Sequence, residues 1–442
     1  CVLWQYTLGE GVGVECAYIE RFWCRWHKKI NNACEQGMHI PLSYRAMLRY
    51  TACNVVMSFF TKIQQTLKKS GIDIPSPSHV HGGVLVVDIG SSSIKIVQLR
   101  NNDGVVTLDT YGEIALGPLA GSEVGLSSNL PPEKITQALL DVLEASEAGA
   151  KQAGICVPFA ASLVKLMELP PLDNKKLATV VPIEARKYIP VPIDQVRLDF
   201  FVVPETEQRL FESNNGAEIS ENTPLKRKLV LIVAIHDEAL QRLVNVLRKT
   251  AIQPSFFELE VFSAIRSTVS RSLAPIVIFD IGAASTKMYL VELGIILASH
   301  AVPMGSQDIT RALAKSLRVP VAKAEELKRQ IGLVSAAGDE QADKVAHVTE
   351  LAMEHVFAES KRVLVGFERR YNKVVTKAVL VGGGAALKGV RDFAQQRFDM
   401  DVEVGNPFTH VDTPAFLKDT VAEVGPVFAG AAGAALRALQ EG

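Results

Sequence analysis

The chain has almost no net charge, no long apolar run and, past its first 56 residues, almost no cysteine. Its 47 lysines and arginines balance 48 aspartates and glutamates, leaving −1 at pH 7 with histidine neutral. No broad electrostatic field therefore draws it to nucleic acid or anionic lipid. A membrane-spanning helix needs roughly 18 to 20 consecutive apolar residues. The best candidate, 427–436, is built of small side chains and stops at Arg437, so it reads as a tightly packed core helix with Pro426 in its first turn. Cys156 is the one cysteine after Cys53, which suits a reducing cytoplasm and excludes a disulfide framework. No sugar-site motif introduces an aspartate placed to accept a substrate hydroxyl proton, as a kinase requires.

Residues 1–56 hold five of the six cysteines and all three tryptophans. Cys16, Cys24 and Cys34 with His27 and His39 lack the paired spacing of a structural zinc site. A signal peptide fits poorly, since no compact apolar region precedes a small-residue cleavage site. The expectation is that translation starts at Met57 and that 1–56 is an upstream read-through or an extension of unknown role. The remaining 386 residues, 48% hydrophobic over the whole chain, are enough for two or more domains.

What is present is a repeat. Val84-Leu85-Val86-Val87-Asp88-Ile89-Gly90-Ser91-Ser92-Ser93-Ile94-Lys95 returns as Ile276-Val277-Ile278-Phe279-Asp280-Ile281-Gly282-Ala283-Ala284-Ser285-Thr286-Lys287. Each copy reads as an apolar strand, a turn of small residues led by an aspartate, and a second strand. The turn sets backbone N–H groups beside a carboxylate, the chemistry of a phosphate and magnesium site. One copy alone would be an ordinary hairpin. Two with the same Asp, Ile, Gly, Ser and Lys offsets imply a duplicated fold closing on one nucleotide from both sides. A third element, 378–387, runs a buried-type strand into Gly382, Gly383 and Gly384, where no Cβ would hold a flat ring off the backbone. A fourth, 324–329, places Glu325 and Lys328 on one helix face.

These four elements resemble the phosphate-1, phosphate-2, adenosine and ribose-facing motifs of the actin-like ATPase superfamily. Four further segments narrow the resemblance to the PilM family of type IV pilus assembly: 167–172 (MELPPL), 184–192 (EARKYIPVP), 257–264 (FELEVFSA) and Asn406-Pro407-Phe408. The resemblance covers the chain from about Met57 to its end and implies an α/β class. The fold would be a duplicated actin-like (ribonuclease H-like) one with an inserted subdomain of the FtsA and PilM type. The implied division is an N-terminal helix and linker over 57–83, a first half over 84–159, the insert over 160–255, and the rest of the first half with the second half over 256–442. Within the insert, Pro190 and Pro192 shape a rigid corner after a helix, and the polar segment 205–223 reads as a mobile solvent-facing loop.

The cofactors implied are ATP and Mg²⁺. Asp88 and Asp280 would hold the ion mainly through water. Backbone amides of Gly90, Ser91, Ser92 and Ser93 and of Gly282, Ala283, Ala284 and Ser285 would cradle the phosphates, and Lys95 would neutralise their charge. Lys287 reads as a strand-surface lysine. Gly382 to Gly384 would face adenine, with Glu325 and Lys328 reaching ribose or base. Glu260, 20 residues before Asp280, falls where actin-fold ATPases orient attacking water, so the chain would be at most a slow ATPase. The implied partner is the short N-terminal tail of a PilN-like inner-membrane protein, held near Tyr188, Ile189 and Pro190. Other pilus inner-membrane components and self-association are further expected contacts, and the implied location is cytoplasmic, at the inner membrane through partners. An FtsA-like cell-division anchor and a small-molecule kinase of the same fold are the alternatives. The last residues, 435–442, lack the basic amphipathic helix of FtsA-like chains.

Overall fold

A computed structural model describes residues 83–213, 227–269, 272, 274–335 and 338–441. The expected extension over 1–56 and nearly all of the helix and linker over 57–83 lie outside the described residues. Strand β1 (Val84–Ile89) pairs antiparallel with β2 (Ser93–Asn102), and β2 with β3 (Val105–Ala115). Between the last two, Asp103 and Gly104 both take positive φ, 52° and 88°, the geometry of a two-residue hairpin turn, and the Asn101 side chain accepts from the Gly104 amide at 2.9 Å. Helix α1 (Pro132–Ala145) then crosses to β4 (Gln152–Val157), parallel to β1.

An excursion follows: β5 (Ser162–Leu169), α2 (Asn174–Ala185), β6 (Val196–Val202), α3 (Glu205–Ser213) and β7 (Lys228–His236). Its strands form a separate sheet of order β5-β7-β6. Helix α4 (Asp237–Leu247) returns the chain to β8 (Gln253–Leu259), parallel to β4, and α5 (Glu260–Thr268). Although α4 and the start of β8 fall within 160–255, Leu240, Leu243, Val244 and Val246 of α4 pack into the same core as β1 and α1. The chain then repeats itself: β9 (Ile276–Ile281), β10 (Thr286–Glu292), β11 (Ile295–Val302), α6 (Ser306–Leu317), α7 (Val321–Ile331), α8 (Glu340–Tyr371), β12 (Lys377–Val381), α9 (Val390–Phe398) and β13 (Asp401–Val404). Helices α10 (Lys418–Val424) and α11 (Ala429–Glu441) close it.

The two large sheets have orders β3-β2-β1-β4-β8 and β11-β10-β9-β12-β13, the same winding twice. In each, the first strand lies centrally and is nearly all apolar, because helices cover both of its faces. Helix α11 shows why small residues were needed near the end of the chain. Ala431, Ala432, Ala434 and Ala435 are fully buried, and a Cβ on Gly433 would stand 1.9 Å from the Ser263 carbonyl oxygen on α5. Arg437, which ends the apolar run, is itself buried and lies 3.9 Å from the Glu258 carboxylate, which Arg266 grips at 2.7 and 3.0 Å. Among the described residues no helix is long and apolar enough to cross a membrane.

One expectation is corrected here. The segment read as a mobile loop over 205–223 begins as α3, and its remainder, 214–223, lies outside the described residues. Glu205 and Glu207 suit the helix start, while Gln208 and Phe211, three apart, turn inward. The Phe211 ring meets Tyr371 edge-on at 5.7 Å and carries the Lys373 ammonium 3.8 Å above its centroid. Val203, Phe211 and Leu229 thus belong to the second half's apolar core, so the excursion touches both halves.

Substituting Gly433 with valine should destabilise the chain by about 1–3 kcal/mol or more, since the clash is with backbone that cannot rotate away. Thermal unfolding beside the parent protein measures it, with Gly121→Ala, where the added Cβ meets nothing within 4 Å, as a control for local backbone strain alone.

Candidate functional site

The repeat places two matching turns at the ends of β1 and β9. Asp88 stands directly opposite Lys95 across β1 and β2, and Asp280 opposite Lys287 across β9 and β10. The Gly90 amide donates to the Ser93 carbonyl at 3.0 Å, and the Gly282 amide donates to the Ser285 carbonyl at the same distance. Those two amides close their own turns. In this structure both are spent on the turn itself. Ser91 stays exposed, and Ser92, Ala283, Ala284 and Ser285 are partly exposed, whereas Ser93 is buried.

Asp88 is nearly buried, and burial pushes its carboxyl above the ordinary carboxylate range. The charges of Lys95 and then Lys287 oppose that rise, while Asp280 adds to it, so the two turns sense each other's charge. Gly430, at the head of α11, makes room for this carboxylate: a Cβ there would lie 3.3 Å from Asp88 Oδ2.

Beside the turns lies the expected Glu260, with a partner that sequence reading missed. Glu260, the first residue of α5, accepts at Oε1 from the Phe159 amide at 2.7 Å and from Lys287 Nζ at 2.6 Å. Lys287 Nζ also donates to Asp280 Oδ2 at 3.1 Å. The expected strand-surface lysine is instead 15% exposed in its side chain and spans two carboxylates, one from each half. Burial works against its ammonium, yet Asp280 and Glu260 outweigh that and hold it well above the usual lysine range. Burial likewise raises Glu260, with Lys287 opposing. Beside them Tyr289 is fully buried, its ring edge-on to Phe159 at 5.1 Å and its hydroxyl without a hydrogen-bond partner among the described residues. The signal for Lys287 was in the repeat: equal Asp-to-Lys offsets in both copies mean cross-strand neighbours.

The glycine strand end reaches the same place. Gly382 has φ 82°, and a Cβ on it would stand 2.5 Å from Asp280 Oδ1; one on Gly384 would strike Ile281 Cγ2 at 2.1 Å. These two glycines let β12 close on β9, whereas Gly383 is exposed with nothing within 4 Å of its would-be Cβ. Of the three, Gly383 is the one with open space for a ring.

Glu325 and Lys328 are drawn inward rather than left pointing at open space. Lys328 Nζ meets Glu325 Oε2 at 2.6 Å, Thr310 Oγ1 donates to the same oxygen at 2.6 Å, and Arg329 Nε donates to Glu325 Oε1 at 2.7 Å. They tie α7 to α6, because the α7 face carrying them is the buried one. The segment between β3 and α1 comes close as well. Ser128 donates its amide to the Ser91 carbonyl at 2.8 Å, and Ser127 donates its amide and hydroxyl to Gln307 Oε1 on α6 at 3.1 and 2.7 Å. Nothing in its composition announced that role.

At the corner of the excursion, Tyr188 is 44% exposed, with Lys165 Nζ 5.7 Å from its ring centre, and Pro190 is also exposed. Ile189 between them is buried with Met167, Leu177 and Val181 in the core of the three-stranded sheet. Residue alternation along the corner sends it inward while its neighbours face out.

Two sheets of one winding, each ending its first strand in the same aspartate-led turn and meeting at one charged cluster, define an actin-like protein with an inserted subdomain. The sequence profile of the family described as type IV pilus assembly protein PilM matches residues 86–439, and the chain belongs to that family. Among solved structures it is similar to a PilM-PilN type IV pilus biogenesis complex, with 23% identity, a TM-score of 0.65, and 81% of this chain and 98% of that one covered. It is also 22% identical over 360 residues to the cell division protein FtsA of Neisseria meningitidis, covering 73% of this chain and 84% of that protein. To FtsA of Pseudomonas aeruginosa it is 21% identical over 372 residues, covering 75% and 85%.

Because the folded Asp88 carboxyl lies above 3.8, the stability it lends belongs to its protonated form and is lost as pH rises through the folded value. Asp88→Asn should therefore raise the unfolding temperature at pH 7, and the gain should shrink toward zero below about pH 4. Thermal melts of both proteins across that range check the sign.

Proposed function

We propose that this chain is an ATP-binding actin-like scaffold of type IV pilus assembly. It would set the angle between its halves with Mg·ATP and bind the N-terminal tail of a PilN-like inner-membrane protein. The observation that carries the nucleotide reading is the pair of equivalent turns whose aspartates, Asp88 and Asp280, sit close enough to perturb each other. Among the described residues no three His, Cys, Asp or Glu side chains could hold a metal by themselves. A pair of aspartates suits magnesium, which keeps several waters and takes phosphate oxygens with one or two carboxylates.

In this reading Asp88 and Asp280 hold the ion through water, the outward parts of the turns at Ser91, Ser92, Ala283 and Ala284 face the phosphates, and Lys95 offsets their charge. Gly383 leaves room for the base. The ion would supply charge neutralisation between the phosphates and the two aspartates. Glu260 is held at Oε1 by Phe159 and Lys287, which favours a binding role over rapid turnover, so hydrolysis is at most slow. The partner reading rests on family membership and on the exposed Tyr188 and Pro190 at the rigid corner. It places the protein at the cytoplasmic face of the inner membrane through its partner.

Asp88→Ala or Asp280→Ala should weaken Mg·ATP binding by a factor of about 100 or more, with the chain still folded by circular dichroism. Isothermal titration reads this, and unchanged affinity in either variant removes the nucleotide assignment. Tyr188→Ala should weaken binding of a PilN-like tail peptide about tenfold while leaving ATP affinity unchanged. Equal loss of both would make Tyr188 a structural residue.

A further inference from the structure

Lys287 is the only residue described at this site that bonds carboxylates from both halves at once. Glu260 heads α5, which continues from the first half's β8, and Asp280 ends the second half's β9. Nζ lies 2.6 Å from one and 3.1 Å from the other, in a side chain mostly withdrawn from water. Glu260 accepts at the same oxygen, Oε1, from the Phe159 amide, which follows β4, so the chain of contacts runs Phe159, Glu260, Lys287, Asp280. Asp280 has little freedom to turn away, since its Oδ1 faces Gly382 so closely that a Cβ there would lie 2.5 Å from it.

Resting on the nucleotide reading above, we infer that Lys287 is a positioning residue that ties the two halves together through Glu260 and Asp280 and competes with magnesium for Asp280. An ammonium at Asp280 Oδ2 occupies the place where a hydrated divalent ion would be held, and two cations cannot share that oxygen without strong repulsion. Uptake of the ion requires Lys287 to leave Asp280, while its shorter contact with Glu260 can persist. The tie thereby couples ion uptake to the relation between the halves, and it keeps Glu260 paired. Lys95, at the equivalent position of the first turn, lies between Asp88 on β1 and Glu113 on β3, and among the described residues no ion pair joins it to the second half; its Nζ lies toward Gly90, 3.5 Å from where a Cβ there would be. The two copies, alike in sequence, have divided these roles.

The test uses the full chain and the variants Lys287→Met, Glu260→Gln and their combination. In a calorimetric magnesium titration at fixed ATP, Lys287→Met should lower the free Mg²⁺ needed for half-saturation by a factor of about five. Lys287→Arg, which keeps the charge, should stay near the parent value. An unchanged or higher magnesium requirement in Lys287→Met overturns the competition and would make Lys287 a phosphate contact or a purely structural group. Separately, thermal unfolding without nucleotide should show Lys287→Met destabilising the parent, and showing less effect in the Glu260→Gln background. Equal effects in both backgrounds overturn the tie. If the parent protein takes up no Mg·ATP at all, the nucleotide reading and the competition fall together, while the unfolding cycle still judges the tie alone.

Discussion

The organising constraint is that two aspartates, each next to last in the central strand of its sheet, stand in a poorly solvated place where the charge of Asp280 reaches Asp88. Burial, with the charge of Asp280 adding to it, raises the proton affinity of Asp88, a cost that calls for compensation. The chain supplies compensation within the same hairpins, by a lysine directly across from each aspartate. It then uses glycines where other elements must come near: Gly430 beside Asp88, Gly382 beside Asp280. Strand register, helix packing and site charge are therefore not separable here. The turn that closes through the Gly90 or Gly282 amide is also the turn that orients the aspartate before it.

The halves communicate through more than the charged cluster. The excursion between β4 and α4 places Val203, Phe211 and Leu229 in the second half's core, while its strand β5 contributes Val164 to the core of the first half. The segment between β3 and α1 joins the first turn to α6 through Ser127 and Ser128. A change in the angle between the halves would therefore strain both connections. A scaffold that signals its nucleotide state to a bound peptide needs such a linkage, and Tyr188 lies on the subdomain that touches both sides.

The duplicated architecture was legible because it rests on a repeat of apolar strand and aspartate-led turn, and short-range patterns of this kind survive translation into structure. The core character of 427–436 and the buried first strands follow from local rules. Phe211 was hidden in a polar stretch because one aromatic and one glutamine sufficed to dock α3, whereas composition averages over the whole segment. The burial of Ile189 was not legible because a motif does not reveal which of its side chains faces inward. Glu325 and Lys328 were correctly placed on one helix face, but the sequence could not show that α6 covers that face with Thr310. Lys287 was misread because a strand lysine is usually solvated, and only the three-dimensional approach of Glu260, from a helix in the other half, makes it buried and paired.

The most direct test of the central claim is a crystal structure of the full chain with magnesium and a non-hydrolysable ATP analogue. The account predicts one metal ion between Asp88 and Asp280, phosphates touching the Ser91–Ser93 and Gly282–Ser285 turns together, and the base beside Gly383. A nucleotide held by one turn alone, or bound elsewhere on the surface, would contradict it.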